Sequence, residues 1–179
     1  MKLVADYPNI IVGNRIILKK IEEKDTCLIL KWRNSSNIKK NFIFRDVLTE
    51  EMHRSWLNNY VNTGKAIQYI IINRKTNMPI GSVYFRDIEL VDGTAEYGVF
   101  IGEEDARGCG FGTETAILFS KFGFEVVGLK RIILRVFADN IGAVNCYCSA
   151  GYKISGKLLL KDEYGSRLMY LMYKNTNRQ

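Results

Sequence analysis

Short apolar runs rich in β-branched residues recur along the chain, separated by stretches whose apolar positions repeat at helical spacing. Ile16, Ile17 and Leu18 within residues 15–19 predict a first strand. Glu22, Glu23 and Asp25 then supply the acidic first turn of a helix running to about Trp32. Thr49 precedes Glu50, Glu51 and Met52, which puts a capping hydroxyl before an amphipathic helix ending near Tyr60. Residues 68–72 form an apolar strand, 73–79 a turn marked by Asn and Pro, and 80–85 the returning strand. Residues 95–101 form a third central strand.

A glycine-rich loop leads into a helix over 112–127, where Ala116, Ile117, Phe124 and Val127 fall near one face. Residues 131–137 (Arg-Ile-Ile-Leu-Arg-Val-Phe) predict a buried strand, and 142–150 a short helix stopped by Gly151. Two last strands, 153–160 and 167–173, flank a turn with Asp162, Glu163 and Gly165. The order β-α-α-β-β-β-α-β-α-β-β predicts an α+β / α/β domain with a mixed sheet and helices on its faces.

Composition fits that picture. The 179 residues are 47% hydrophobic and 25% charged, ordinary for a soluble chain, and the length suits one domain over residues 1–179. No apolar run approaches the ~20 residues of a membrane helix. The opening MKLVADYPN lacks the apolar core of a secretion signal. Cys27, Cys109, Cys146 and Cys148 make no C-x-x-C pair, and a single histidine cannot complete a zinc set, so the expectation is a metal-free cytoplasmic protein with reduced thiols. The net charge of +7 admits nucleic acid, an acidic membrane face or a small anion as partner. The basic residues sit in the outer thirds as isolated pairs such as Lys39-Lys40. With no basic tail and no aromatic-basic stripe, a nucleic-acid or ribosome-binding role is the remote alternative.

The most informative segment is Arg107-Gly108-Cys109-Gly110-Phe111-Gly112-Thr113, between a strand and a helix. Free amides at a helix start, with glycines that let the backbone approach, suit a phosphate. A dinucleotide fingerprint G-x-G-x-x-G fails here, because its third glycine falls on Thr113 or Thr115. A P-loop fails for want of Gly-Lys-Ser/Thr.

The same residues fit Arg/Gln-x-x-Gly-x-Gly/Ala, as Arg107-x-x-Gly110-x-Gly112. This resembles the acyl-CoA pyrophosphate loop of the GCN5-related N-acetyltransferase (GNAT) superfamily. The stretch from Asn140 through Ala143, Tyr147 and Gly151 is similar to that family's N-x-x-A-x-x-x-Y-x-x-x-G-F, with Tyr152 in place of Phe. Asn14-Arg15, Trp32-Arg33-Asn34 and the final Gly165-x-Arg-Leu-Met-Tyr resemble the branch that holds ribosomal-protein-alanine and spermidine N-acetyltransferases. Trp32-Arg33-Asn34 with His53-x-x-Trp56-Leu57 is most similar to the amino-sugar-nucleotide N-acetyltransferases of pseudaminic acid biosynthesis.

The resemblance implies a single-domain GNAT fold, a mostly antiparallel mixed sheet with helices on both faces, and direct transfer of acetyl from acetyl-CoA to a primary amine. The cofactor arm would lie along Val99, Phe100 and Ile101. The pyrophosphate would meet Arg107, Gly108, Cys109, Gly110, Phe111, Gly112 and Thr113, and Asn140 would touch the arm or hold its loop. Tyr147 would protonate the leaving thiolate. Strand alternation sets Glu96 with Gly98 and Phe100 on one face, which makes Glu96 the candidate general base, directly or through water. Arg33, Asn34 and His53 are the candidate acceptor contacts, with Arg33 placed to pair with a phosphate. The expected acceptor is the amino group of a nucleotide-linked sugar; a protein N-terminus, a polyamine or an aminoglycoside are the alternatives. A homodimer stays open.

Overall fold

The computed structural model describes residues 7–176. Its strands are β1 (Ile10–Val12), β2 (Ile16–Lys20), β3 (Ile67–Asn73), β4 (Met78–Glu89), β5 (Thr94–Ile101), β6 (Arg131–Phe137), β7 (Lys153–Asp162) and β8 (Gly165–Asn175). The helices are α1 (Thr26–Arg33), α2 (Ser36–Lys39), α3 (Glu50–Trp56), α4 (Phe111–Phe122) and α5 (Ile141–Ser149). The strands form one eight-stranded sheet in the order β1-β2-β3-β4-β5-β6-β8-β7. Every neighbouring pair is antiparallel except β5 and β6. The fold is therefore the expected single-domain GNAT architecture, with a mixed, mostly antiparallel sheet between helices.

Local chemistry explains the boundaries. Thr49 caps α3 by accepting the Met52 amide at 3.2 Å, and Gly151 stops the segment after α5 at φ +88°. Helices α3 and α4 each run on through one wider π-type turn, Leu57–Val61 and Gly123–Val127. Two short elements escape a periodicity argument: β1 has three residues and α2 four. The turn expected over 73–79 is tighter, because Asn77 takes φ +56° and β4 restarts at Met78. On α4 the buried stripe is Thr115, Ala116, Phe119 and Phe122, whereas Ile117 is half exposed. The expected inward position of Ile117 is thus corrected: Phe119 stacks on Phe85 at 4.3 Å, and that contact sets the helix rotation.

The sheet has a core on each face. Tyr69, Phe85, Tyr97, Ile132 and Leu134 pack beneath α4 and α5, against Phe119 of α4. Ile29, Trp32, Leu57, Ile70 and Phe100 pack beneath α1 and α3. Along β5, Tyr97, Val99 and Ile101 belong to the first core and Phe100 to the second, as two-residue alternation requires.

The β5–β6 seam positions the site. Their parallel pairing spans only Thr94–Glu96 against Arg131–Ile133, although β5 continues to Ile101 and β6 to Phe137. Past Glu96 the strands part, and the sheet opens between them.

Candidate active site

A cleft of about 720 Å³ fills this opening and passes from the α4–α5 side to the α1–α3 side. The glycine loop, Asn140, Cys146 and Tyr147 line the first side; Arg33, Ile38, Phe42, His53 and Trp56 line the second, with β5 residues 96–101 between them.

At the first mouth, Gly108 and Gly110 adopt φ +72° and +82°, a region that non-glycine residues rarely occupy. A Cβ on Gly108 would meet nothing within 4 Å, so this side of the loop is open. The first bond closing α4 runs from the Glu114 amide to the Gly110 carbonyl at 3.1 Å. The amides of Phe111, Gly112 and Thr113 thus have no acceptor within the helix and face an anion site at its positive end. The Arg107 guanidinium donates to the carbonyls of Ile101 at 3.0 Å and Gly102 at 2.7 Å, lashing the loop to the end of β5. Arg15 lashes the other flank: it donates to the Cys109 carbonyl at 2.9 Å, pairs with Glu114 at 3.2 Å and lies over the Phe111 ring. Cys109 itself is exposed and does not line the cleft, so only its backbone can serve the expected cofactor contact.

Tyr147 projects from α5 into the cleft and is 7% exposed. Its ring meets Tyr97 edge-on at 6.0 Å and Tyr152 at 5.9 Å. Burial, more than any neighbouring charge, pushes its phenol well above the usual range, so it keeps its proton at any working pH. Asn140 caps α5, its side-chain oxygen accepting the Ala143 amide at 3.4 Å. Where the family motif has Phe, the added hydroxyl of Tyr152 is satisfied by Ser120 at 2.8 Å.

On the second side the sequence-derived candidates separate. Arg33 lines the cleft, its guanidinium stacked 3.3 Å from the Phe42 ring centre; its Nη1 is buried without a hydrogen bond, and burial lowers its pKa. Asn34 does not line the cleft. Its amide donates to the Leu48 carbonyl at 2.9 Å and accepts the Leu48 amide at 2.8 Å, clamping the segment that carries Phe42. The expected substrate contact at Asn34 is therefore corrected to a structural clamp.

His53 is a wall residue, 3% exposed, with Nδ1 3.0 Å from the Thr26 hydroxyl and Nε2 buried without a partner. Burial lowers its pKa from 6.5 to about 4, opposed only by Asp25. The unfolded chain therefore binds one more proton between those values, and stability falls as pH drops through them, by about 1.4 kcal/mol per unit. Denaturant titrations at pH 6.5 and pH 5 should differ by about 1.5 kcal/mol, and His53→Gln should flatten that difference.

Glu96, expected as a base, is held by two arginines. Its Oε1 accepts from Arg86 at 2.9 Å and from Arg135 at 3.1 Å, and its Oε2 from Arg135 at 3.0 Å. Arg86 Nε is buried without a hydrogen bond. The bulge after Arg86, where Asp87 takes φ +50°, re-aims this end of β4. Sequence reasoning missed Arg15, Arg86, Arg135 and Tyr84. Each lies in or before a strand whose alternation names a face but not the partner that the side chain meets on another element.

Among the described residues, no group of three or more His, Cys, Asp or Glu could hold a metal ion, and no helix is long and apolar enough to cross a membrane.

A parted pair of parallel strands, an anion loop at one mouth and a buried phenol between the mouths suit transfer of a group from a phosphorylated donor on one side of the sheet to an acceptor on the other. The acetyltransferase (GNAT) domain profile matches residues 15–153, and the chain belongs to that family. An uncharacterised protein of Methanocaldococcus jannaschii is 29% identical over 147 residues, covering 80% of this chain but 29% of that longer protein. An uncharacterised N-acetyltransferase of Bacillus licheniformis is 26% identical over 151 residues and 83% of each chain. Among solved structures, the spermidine N-acetyltransferase from Vibrio cholerae in complex with CoA and spermine superposes with a TM-score of 0.82 at 20% identity, over 90% of this chain and 95% of that one.

The protein is thus an acyltransferase whose donor is acetyl-CoA. The residues fit that donor: the open glycine cradle and free helix amides suit its pyrophosphate, and the unpaired edge of β5 suits its amide-bearing arm. When bound, acetyl-CoA supplies a thioester carbonyl open to attack and a thiolate leaving group.

Proposed function

We propose that this enzyme acetylates the primary amine of an anionic acceptor, the amino group of a nucleotide-linked sugar. The observation that carries the reading is the charge of the cleft. On the acceptor side three arginines line it, Arg33, Arg86 and Arg135, against one carboxylate, Glu96, which two of them already hold. The buried Nη1 of Arg33 has no hydrogen bond and is a donor that an oxyanion would satisfy, whereas Arg86 Nε already faces the Asp87 carboxylate at 3.7 Å. A polyamine acceptor has support in the Vibrio cholerae relative that is named for spermidine. A polycation would need acidic walls, and this cleft opposes it.

In this reading the loop from Arg107 to Thr113 holds the pyrophosphate, and Val99, Phe100 and Ile101 present backbone to the arm. The side chain of Phe100 turns to the acceptor face, where it meets Trp32 and Phe42 edge-on. Tyr147 gives its proton to the leaving thiolate. Glu96 anchors Arg86 and Arg135 through three accepted hydrogen bonds, and the amine's proton passes to water in the cleft. His53 and Arg33 contact the acceptor.

Arg33→Ala tests the charge. With a UDP-linked amino sugar, the acceptor KM should rise about 30-fold, as expected for a lost charged hydrogen bond, and kcat should change less. An equal rise with an uncharged amine would contradict an anion-binding Arg33.

A further inference from the structure

Tyr84 sits on β4 directly opposite Gly98 of β5, two residues past the last paired position of the seam. Its phenol lies across the glycine. A Cβ at Gly98 would stand 2.3 Å from Tyr84 Cζ and 2.4 Å from its hydroxyl oxygen, distances no real side chain tolerates. The missing side chain at 98 is therefore what admits the hydroxyl to the middle of the cleft. Trp56 fixes the ring from the acceptor side by an edge contact at 6.4 Å, and Trp56 is itself tied through Nε1 to Gln68 at 2.8 Å.

This place is shared by both halves of the site. Tyr84 lines the same cleft as Arg33, Arg86, Glu96 and Arg135 on the acceptor side and as Tyr97 and Tyr147 on the donor side. Burial raises its pKa, so the group remains a neutral phenol, able to accept one hydrogen bond and donate another.

We propose that Tyr84 is a catalytic residue: its hydroxyl oxygen accepts a hydrogen bond from the acceptor's amine and holds the nitrogen lone pair toward the acetyl carbonyl over Gly98. The contact moves no proton and makes no bond of its own. The N–C bond forms and the C–S bond breaks; the departing thiolate takes its proton from Tyr147, the proton left on nitrogen passes to water, and water returns one to the Tyr147 phenolate. The inference rests on the proposed reaction only in requiring an amine acceptor. Its physical basis is orientation, which places the nucleophile within reach before reaction.

The test uses the full chain, acetyl-CoA and a UDP-linked amino sugar, with calorimetry of CoA alone as a second readout. Tyr84→Phe should lower kcat about 50-fold, leave the acceptor KM within about threefold and leave the CoA Kd within about twofold. Gly98→Ala should lower kcat at least as far, because its methyl displaces the phenol. A Phe variant with kcat near wild type overturns the proposal. So does a CoA affinity that falls in step with activity, which marks Tyr84 as a packing residue. If the wild-type enzyme leaves the UDP-linked sugar unacetylated, the acceptor reading fails. The same two variants, read with the amine the enzyme does acetylate, then decide Tyr84.

Discussion

Gly110→Glu abolishes acetyl-CoA binding in a protein that still folds. Gly110 ends the cradle at φ +82°, where an L side chain costs about 1–2 kcal/mol. The loop is surface structure, so that strain lowers stability without removing the core. The ligand effect is larger. A Cβ at 110 would stand 3.0 Å from Arg15 Nη2, so the new carboxylate is drawn to the guanidinium that now braces the Cys109 carbonyl. It then places a negative charge in the anion cradle. Calorimetry should show CoA affinity reduced by at least about 100-fold, which corresponds to roughly 2.7 kcal/mol. Thermal unfolding of the free variant would show a retained transition. Unchanged CoA affinity would remove the loop from the pyrophosphate site.

Tyr147→Phe lowers turnover by about 100-fold and leaves CoA affinity within about twofold, the scale on which a positioned proton donor acts. The substitution removes one oxygen and keeps the ring that packs on Tyr97 and Tyr152. Binding is therefore preserved while the acid is lost. Because burial holds the phenol protonated, no alkaline limb of the wild-type rate profile below about pH 10 should come from Tyr147. Single-turnover acetyl transfer with CoA calorimetry separates the two effects, and an unchanged rate would rule out the acid role.

Much of the fold was legible because it depends on local pattern. The strand 131–137 was read with the bounds that β6 has, and the order of the larger elements followed from alternation, the Thr49 cap and Gly151. The glycine loop and the Asn140–Tyr152 stretch were legible because each keeps its chemistry on contiguous residues. Glu96 shows where this stops. Its face was correctly read from alternation. Its role depends on Arg86 across one strand pair and Arg135 across the other, and one-dimensional pattern carries no cross-strand distance. Asn34 shows the same limit, since its partner at Leu48 lies across a connection without periodicity. Tyr84 stayed hidden because its position depends on an absence, the missing side chain of Gly98, two positions beyond Glu96.

The most direct test of the account is a mass-spectrometric acetyl-transfer assay with acetyl-CoA on two acceptors in parallel, a UDP-linked amino sugar and spermidine. The arginine-lined cleft predicts acetylation of the UDP-linked sugar, weakened by added salt, with spermidine untouched. Acetylated spermidine beside an unmodified UDP-linked sugar would contradict the anionic-acceptor reading.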